Sequence, residues 1–259
     1  MPCHPLPNAA RRLAALAVAL SATLAVADEG PRHPSSFAVV FSACTEFAGL
    51  APVPLASAQG RLPAGYTPAS MGPGLAGFVA RAARCERVSV DGGPAEPASV
   101  SHIGINLVAP DGTGDINNYT LMYVTDSARL AARLRGVGLP VRLDKGLVYE
   151  VNPAGAGLRL YAQVDAGRDG VYVLEGPVTD PVAGSEFPFL ANWWHSSRAG
   201  RLKMSTQIPA IGFGPTDVAL LTARASTPGE LIGANRTLFP LLSVRGRFAQ
   251  AVMTVTLAR

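Results

Sequence analysis

His102, Gly104 and Asn106 share one parity of an apolar run, opposite Ile103, Ile105 and Leu107. A glycine gap flanked by two polar side chains is what a small molecule approaching a barrel wall requires, and imidazole titrates in the useful range for proton transfer. The same two side chains also read as satisfied structural hydrogen bonders. Trp193, Trp194 and His195 form the tryptophan cluster of the chain, behind Phe187, Pro188 and Phe189. Indoles offer large flat contact areas to a ligand, or equally to the core and rim of the fold itself. Lysine occurs at two positions, Lys145 and Lys203. In residues 201–207 alternation places Arg201, Lys203, Ser205 and Gln207 on one polar face, open either to a wet interior or to solvent.

Other chemistry finds little support. The oxygen-rich run from Asp111 to Asn118 could meet a hard cation such as calcium, but its spacing departs from the EF-hand loop and no Glu closes it, so a hairpin loop fits better. His33, His102 and His195 are scattered too widely for a zinc site, and neither a Gly-x-Ser-x-Gly elbow nor a phosphate-cradling glycine loop occurs. No cofactor and no metal is called for.

The elements that must position these residues are mostly strands. Short apolar runs recur between Gly and Pro punctuation at 37–41, 75–90, 100–108, 119–124, 141–151, 158–164, 171–175, 202–208, 218–223 and 241–257. So many strands in one domain predict a curved or closed antiparallel β-barrel-like sheet, because closure removes exposed edges. Asp126 is the expected N-cap of a helix over 127–135 with Leu130, Leu134 and Val137 on one stripe. A second helix starts at Thr227, with Pro228 at its first position and Glu230 completing a capping box. A short turn of helix over 55–62 completes the set. The fold class is α+β, mostly β, with two or three short helices.

Arg11 and Arg12 precede an aliphatic run from Leu13 to Ala27, which ends in Ala25-Val26-Ala27 before Asp28 and Glu29. Positive flank, short apolar run and small-x-small end predict a secretory signal over 1–27, cleaved after Ala27, and one β-rich domain over 28–259. The expected location is periplasmic or extracellular. Removing the signal leaves 20 Lys plus Arg against 18 Asp plus Glu, a net charge of +2 that is no nucleic-acid footprint. No later segment is apolar enough to span a membrane as a helix. Cys3 leaves with the signal, so Cys44 and Cys85 remain as an even pair in an oxidising compartment, where a disulfide is the default. The alternative, a reactive or metal-binding thiol, lacks CxxC spacing and a nearby histidine.

Residues Leu62-Pro63-Ala64-Gly65-Tyr66-Thr67-Pro68 resemble the segment that follows the first short helix in the acetoacetate decarboxylase superfamily. The resemblance continues through Asn118-Tyr119-Thr120-Leu121-Met122-Tyr123-Val124, the helix after Asp126, and the turn Gly138-Leu139-Pro140. It covers the first half of the domain and implies a barrel that encloses a site for a small oxo-acid or related carbonyl compound. Decarboxylating members use a Schiff-base lysine just after that turn, beside a second lysine that lowers its pKa. Here the chain reads Pro140-Val141-Arg142-Leu143-Asp144-Lys145, with an aspartate neighbour that would raise the pKa of Lys145. The resemblance therefore implies a possible lyase in which Lys145 attacks the carbonyl, Arg142 tunes it or holds a carboxylate, and His102 or Glu86 handles protons. The alternatives are a non-catalytic module that holds an apolar small molecule, with Asn106, Trp193, Trp194, His195 and Lys203 as contacts, or a structural, partner-binding β domain with a filled interior.

Overall fold

The structure is a computed structural model that describes residues 36–233, 237–238, 240 and 242–258. The expected signal segment lies outside the described residues. In chain order the strands are β1 (Ser36–Pro54), β2 (Ser70–Gly72), β3 (Leu75–Val90), β4 (Glu96–Asn106), β5 (Ile116–Thr125), β6 (Val141–Leu143) and β7 (Val148–Ala154). They continue as β8 (Gly157–Asp165), β9 (Val171–Val178), β10 (Phe187–Ser197), β11 (Gly200–Pro215), β12 (Ala219–Thr222), β13 (Thr237–Leu238) and β14 (Leu242–Ala258). The helices are α1 (Leu55–Gln59), α2 (Ala128–Gly136) and α3 (Thr227–Leu231).

Strands β1, β14, β11, β10, β5, β4 and β3 follow one another as hydrogen-bonded neighbours, and β3 pairs again with β1 to close the ring. The result is a closed seven-stranded barrel, with β2 and β6 appended to β3 and β5. The barrel is mixed rather than purely antiparallel, because β10 runs parallel to β5, as does β6. A second sheet, β13-β12-β9-β8-β7, packs on the outside. Its Leu160, Val164, Tyr172, Leu174 and Leu220 form one buried cluster with Phe47, Phe78, Ile103, Ile105, Met122 and Val124 of the barrel. Strands β3, β4 and β5 are thus buried on both faces over most of their length, and β4 is buried at every position from Ala98 to Ile105, its serines and His102 included.

Strand β1 carries inward residues at Phe37, Val39 and Phe41, then at Cys44, and further on at Glu46 and Ala48. The parity switches at Ala43, whose φ of 51° lies in the left-handed region. Beside it β3 switches between Cys85 and Val88, where its pairing with β4 also shifts register. In β11 the switch falls between Ile208 and Ile211, and in β14 between Phe248 and Ala251. A seam of irregular residues therefore crosses four adjoining strands, and the disulfide Cys44–Cys85 ties β1 to β3 on it, with Cα atoms 4.1 Å apart. On one side of the seam the interior is filled: α2 packs Leu130, Ala131 and Leu134 into the cluster of Phe37, Val39, Val90 and Val255, closing that end.

Two helix starts differ from expectation by one residue. Ser127, not Asp126, caps α2, its hydroxyl accepting from Leu130 N at 3.2 Å, while Asp126 Oδ1 accepts from Ser99 N at 2.8 Å. In α3 the cap is Ser226, not Thr227: its hydroxyl accepts from Gly229 N at 3.0 Å, and Glu230 is left to pair with Arg61.

Candidate functional site

Beyond the seam the barrel is hollow. A cavity of about 360 Å³ lies there, within the size range of ligand pockets. Its apolar wall includes Phe41, Val79, Phe189, Trp193, Ile208 and Met253, and Leu50, Phe213 and the exposed Leu242 stand at its mouth. Phe187, Phe189 and Phe213 stack edge to face at centroid distances of 5.5 to 6.4 Å, forming an aromatic rim on that side.

Among the described residues three charged side chains line the hollow, Glu46, Arg81 and Asp115. Glu46 is buried, and its Oε2 accepts from Arg81 Nε at 2.9 Å and Nη2 at 2.5 Å. Asp115 is exposed at the mouth, where its Oδ2 accepts from Leu190 N at 2.7 Å. Strand pairing sets Arg81 opposite His102, and His102 opposite Tyr123. The His102 ring lies between Tyr123 and Trp193, at centroid distances of 4.2 and 4.5 Å, and is only 3% exposed. Neither ring nitrogen has a hydrogen-bond partner among the described residues. Burial first, and the positive charge of Arg81 second, hold its pKa well below the usual imidazole value, so the ring is neutral at physiological pH. Burial likewise pushes the Tyr123 phenol upward, so it stays protonated.

Of the sequence-predicted residues, His102 and Trp193 meet at this cavity. Gly104 faces inward as expected, but its gap is already occupied: a Cβ there would lie 2.7 Å from Cζ3 of Trp193 and 2.4 Å from the carbonyl oxygen of Tyr119. Asn106 is held by Asn117 O and Asn118 Oδ1 at 2.9 and 3.1 Å and does not line the hollow. Trp194 points the other way, since neighbouring residues of a strand alternate. It is buried with Tyr66, Leu107 and Tyr119, and its Nε1 donates to Asn117 Oδ1 at 2.9 Å. His195 Nδ1 sits 3.1 Å from Thr120 O, away from the cavity, with its pKa lowered chiefly by burial. Lys203 lies on the outer face, pinned to Asp111 Oδ2 at 2.6 Å and Thr113 Oγ1 at 2.9 Å, with its ammonium over the Trp194 ring. The run from Asp111 is accordingly a loop that anchors Lys203 and Asn192.

The residues expected to make an imine are elsewhere. The apolar stretch 141–151 is two strands, β6 and β7, and Lys145 sits exposed in the turn between them, donating to Asp126 O at 2.5 Å. Arg142 is exposed on β6. Glu86 is exposed on β3, in an open outer groove along the seam with Arg84, Glu186 and Arg247. None of the three reaches the cavity, so they do not form a constellation with His102. Glu46 and Arg81 were missed by sequence reasoning, although a lone arginine within the apolar 75–83 stretch was a usable signal. Among the described residues no three His, Cys, Asp or Glu side chains gather as a metal site would require.

Solved structures with the same architecture decide the fold. An acetoacetate decarboxylase-like enzyme from Sphingomonas wittichii RW1 superposes with a TM-score of 0.55 at 12% identity, over 85% of this chain and 91% of that one. The acetoacetate decarboxylase of Legionella pneumophila gives 0.55 at 12% identity, over 95% and 96%. This chain has the acetoacetate decarboxylase-like fold. The enduracididine biosynthesis enzyme MppR shares the decarboxylase-like architecture, with a TM-score of 0.51 and 17% identity over 86% of both chains. No protein-family model and no curated protein matches the sequence. At these identities the likeness concerns the decarboxylase-like fold and not its chemistry.

Proposed function

We propose that this protein is an exported binder of a small, largely apolar molecule, held in the barrel without covalent attachment. The observation that carries the reading is the cavity of about 360 Å³ whose wall combines aromatic and aliphatic side chains with His102, a ring without a hydrogen-bond partner among the described residues. A filled interior, the structural alternative, does not match that hollow. Export is supported by the leader-like sequence of residues 1–27 and by the Cys44–Cys85 bond, which suits an oxidising compartment.

The lyase alternative keeps the support of the fold, since decarboxylases share it. The position of Lys145 counts against it, because an exposed amine bonded to Asp126 O cannot meet a carbonyl held near His102. Lys203 is no substitute on the outer face.

Titration with the neutral dye N-phenylnaphthylamine tests the binding reading. Dye emission should rise saturably as Trp193 emission falls, and Ala191→Phe, which fills the lined space, should abolish both without changing the circular dichroism spectrum. Dye binding that ignores Ala191→Phe would remove the barrel as the binding place. Borohydride treatment with acetoacetate or pyruvate should give no mass adduct; an adduct lost in Lys145→Ala would restore the imine route.

A further inference from the structure

Two of the three charges that line the cavity, Glu46 and Arg81, compensate each other, and the third, Asp115, stands exposed at the mouth. Both Arg81 donors that reach Glu46 end on a single buried carboxylate, and the third charged group, Asp115, is negative. Among the described residues no lysine lines the hollow. An anionic head group seated near Arg81 would stand beside Glu46, and like charges brought together out of water cost several kcal/mol. A cationic head would find Glu46 already taken by Arg81, and the remaining carboxylate, Asp115, stands exposed at the mouth, where water screens it. What the wall leaves unsatisfied is hydrogen bonding: the neutral His102 ring has one donor and one acceptor, and both lie covered between Tyr123 and Trp193 without a partner among the described residues. A buried polar group in that state is costly unless something in the cavity bonds to it.

We propose that the barrel selects uncharged, mainly apolar molecules that carry a single hydroxyl or carbonyl oxygen, and that the His102 ring turns out from between Tyr123 and Trp193 to bond this oxygen. The apolar body then lies along Phe41, Ile208, Met253 and Trp193 toward the mouth. The selectivity rests on the binding reading above and narrows it to a chemical class. It also separates this chain from an oxo-acid site, since an oxo-acid is an anion at neutral pH. Burial and the neighbouring Arg81 keep His102 unprotonated, which preserves its acceptor nitrogen for a hydroxyl.

The test is displacement of N-phenylnaphthylamine near neutral pH by four probes of one chain length: octanol, methyl hexyl ketone, octanoate and octylamine. Octanol and the ketone should displace the dye at concentrations about tenfold or more below those of the two ions, the factor that more than a kcal/mol of charge penalty implies. His102→Phe should cost octanol and the ketone about fivefold more affinity than it costs the dye, the worth of one neutral hydrogen bond. Octanoate as tight as octanol would overturn the charge selectivity, and equal losses of dye and octanol in His102→Phe would overturn the seat on the imidazole; in both cases saturable dye binding would leave the barrel as a binding place. Failure of the dye itself to bind would bring down both readings.

Discussion

Glu46 of β1 and Arg81 of β3 face each other inside the barrel as diagonal neighbours, because the ladder between those strands sets Ala48 directly opposite Arg81. The carboxylate is almost wholly buried, and the guanidinium side chain is 18% exposed. Removing one partner therefore strands a charge rather than merely deleting a contact. Arg81→Leu should destabilise the fold by about 3–5 kcal/mol, whereas the pair Glu46→Leu with Arg81→Leu should recover most of that loss. Urea unfolding of the two variants checks this: a double variant no more stable than the single one would contradict it.

Stability should fall as the solution is made acidic. His102 faces Arg81 from β3 and Tyr123 from β5, with Glu46 of β1 behind the arginine, and its native pKa is depressed from 6.5. As pH drops below about 6.5 the unfolded chain takes up a proton that the native ring refuses, so the unfolded state gains. The stability contribution is complete above that value and is lost progressively down to the lower native pKa. Urea midpoints measured from pH 7.5 to 5 should decline, and His102→Phe should flatten the part of the slope that this ring supplies.

The disulfide spans 41 residues of sequence and sits on the seam where inward parity changes. Its loss should cost about 4 kcal/mol on the loop-entropy estimate. Thermal melts of Cys44→Ala with Cys85→Ala, compared with the oxidised protein, read this directly. The cavity should still accept the dye in that variant below its melting temperature, since neither cysteine is among the residues lining the hollow.

How far the sequence foretold the fold depends on what each strand packs against. The bounds of β3, Leu75–Val90, are legible from composition, because an apolar strand covered on both faces stands out between glycine turns. β1 is legible only as far as Phe41, since the left-handed Ala43 breaks the alternation and hides Glu46 beyond it. β10 was not foreseen as a strand at all. Its Asn192 is fully buried, but Thr113, Asn117 and Ser205 satisfy it, and only their assembly in space makes a polar residue acceptable in that position. The site divides in the same way: His102 and Trp193 were visible as residue types, while the Glu46–Arg81 pair needed the closure of β1 on β3. Lys145 was drawn in by its place just after the turn Gly138-Leu139-Pro140 in the family resemblance, and the stretch 141–151, read as one strand, conceals the turn that carries it outward.

Among the described residues the hollow is floored on the α2 side and reaches the surface at the aromatic rim. A guest that arrives and departs by that rim passes Leu50, Phe189, Phe213 and Leu242. Residence time is then governed by the lip, and affinity by the depths, so the two can be altered by different substitutions.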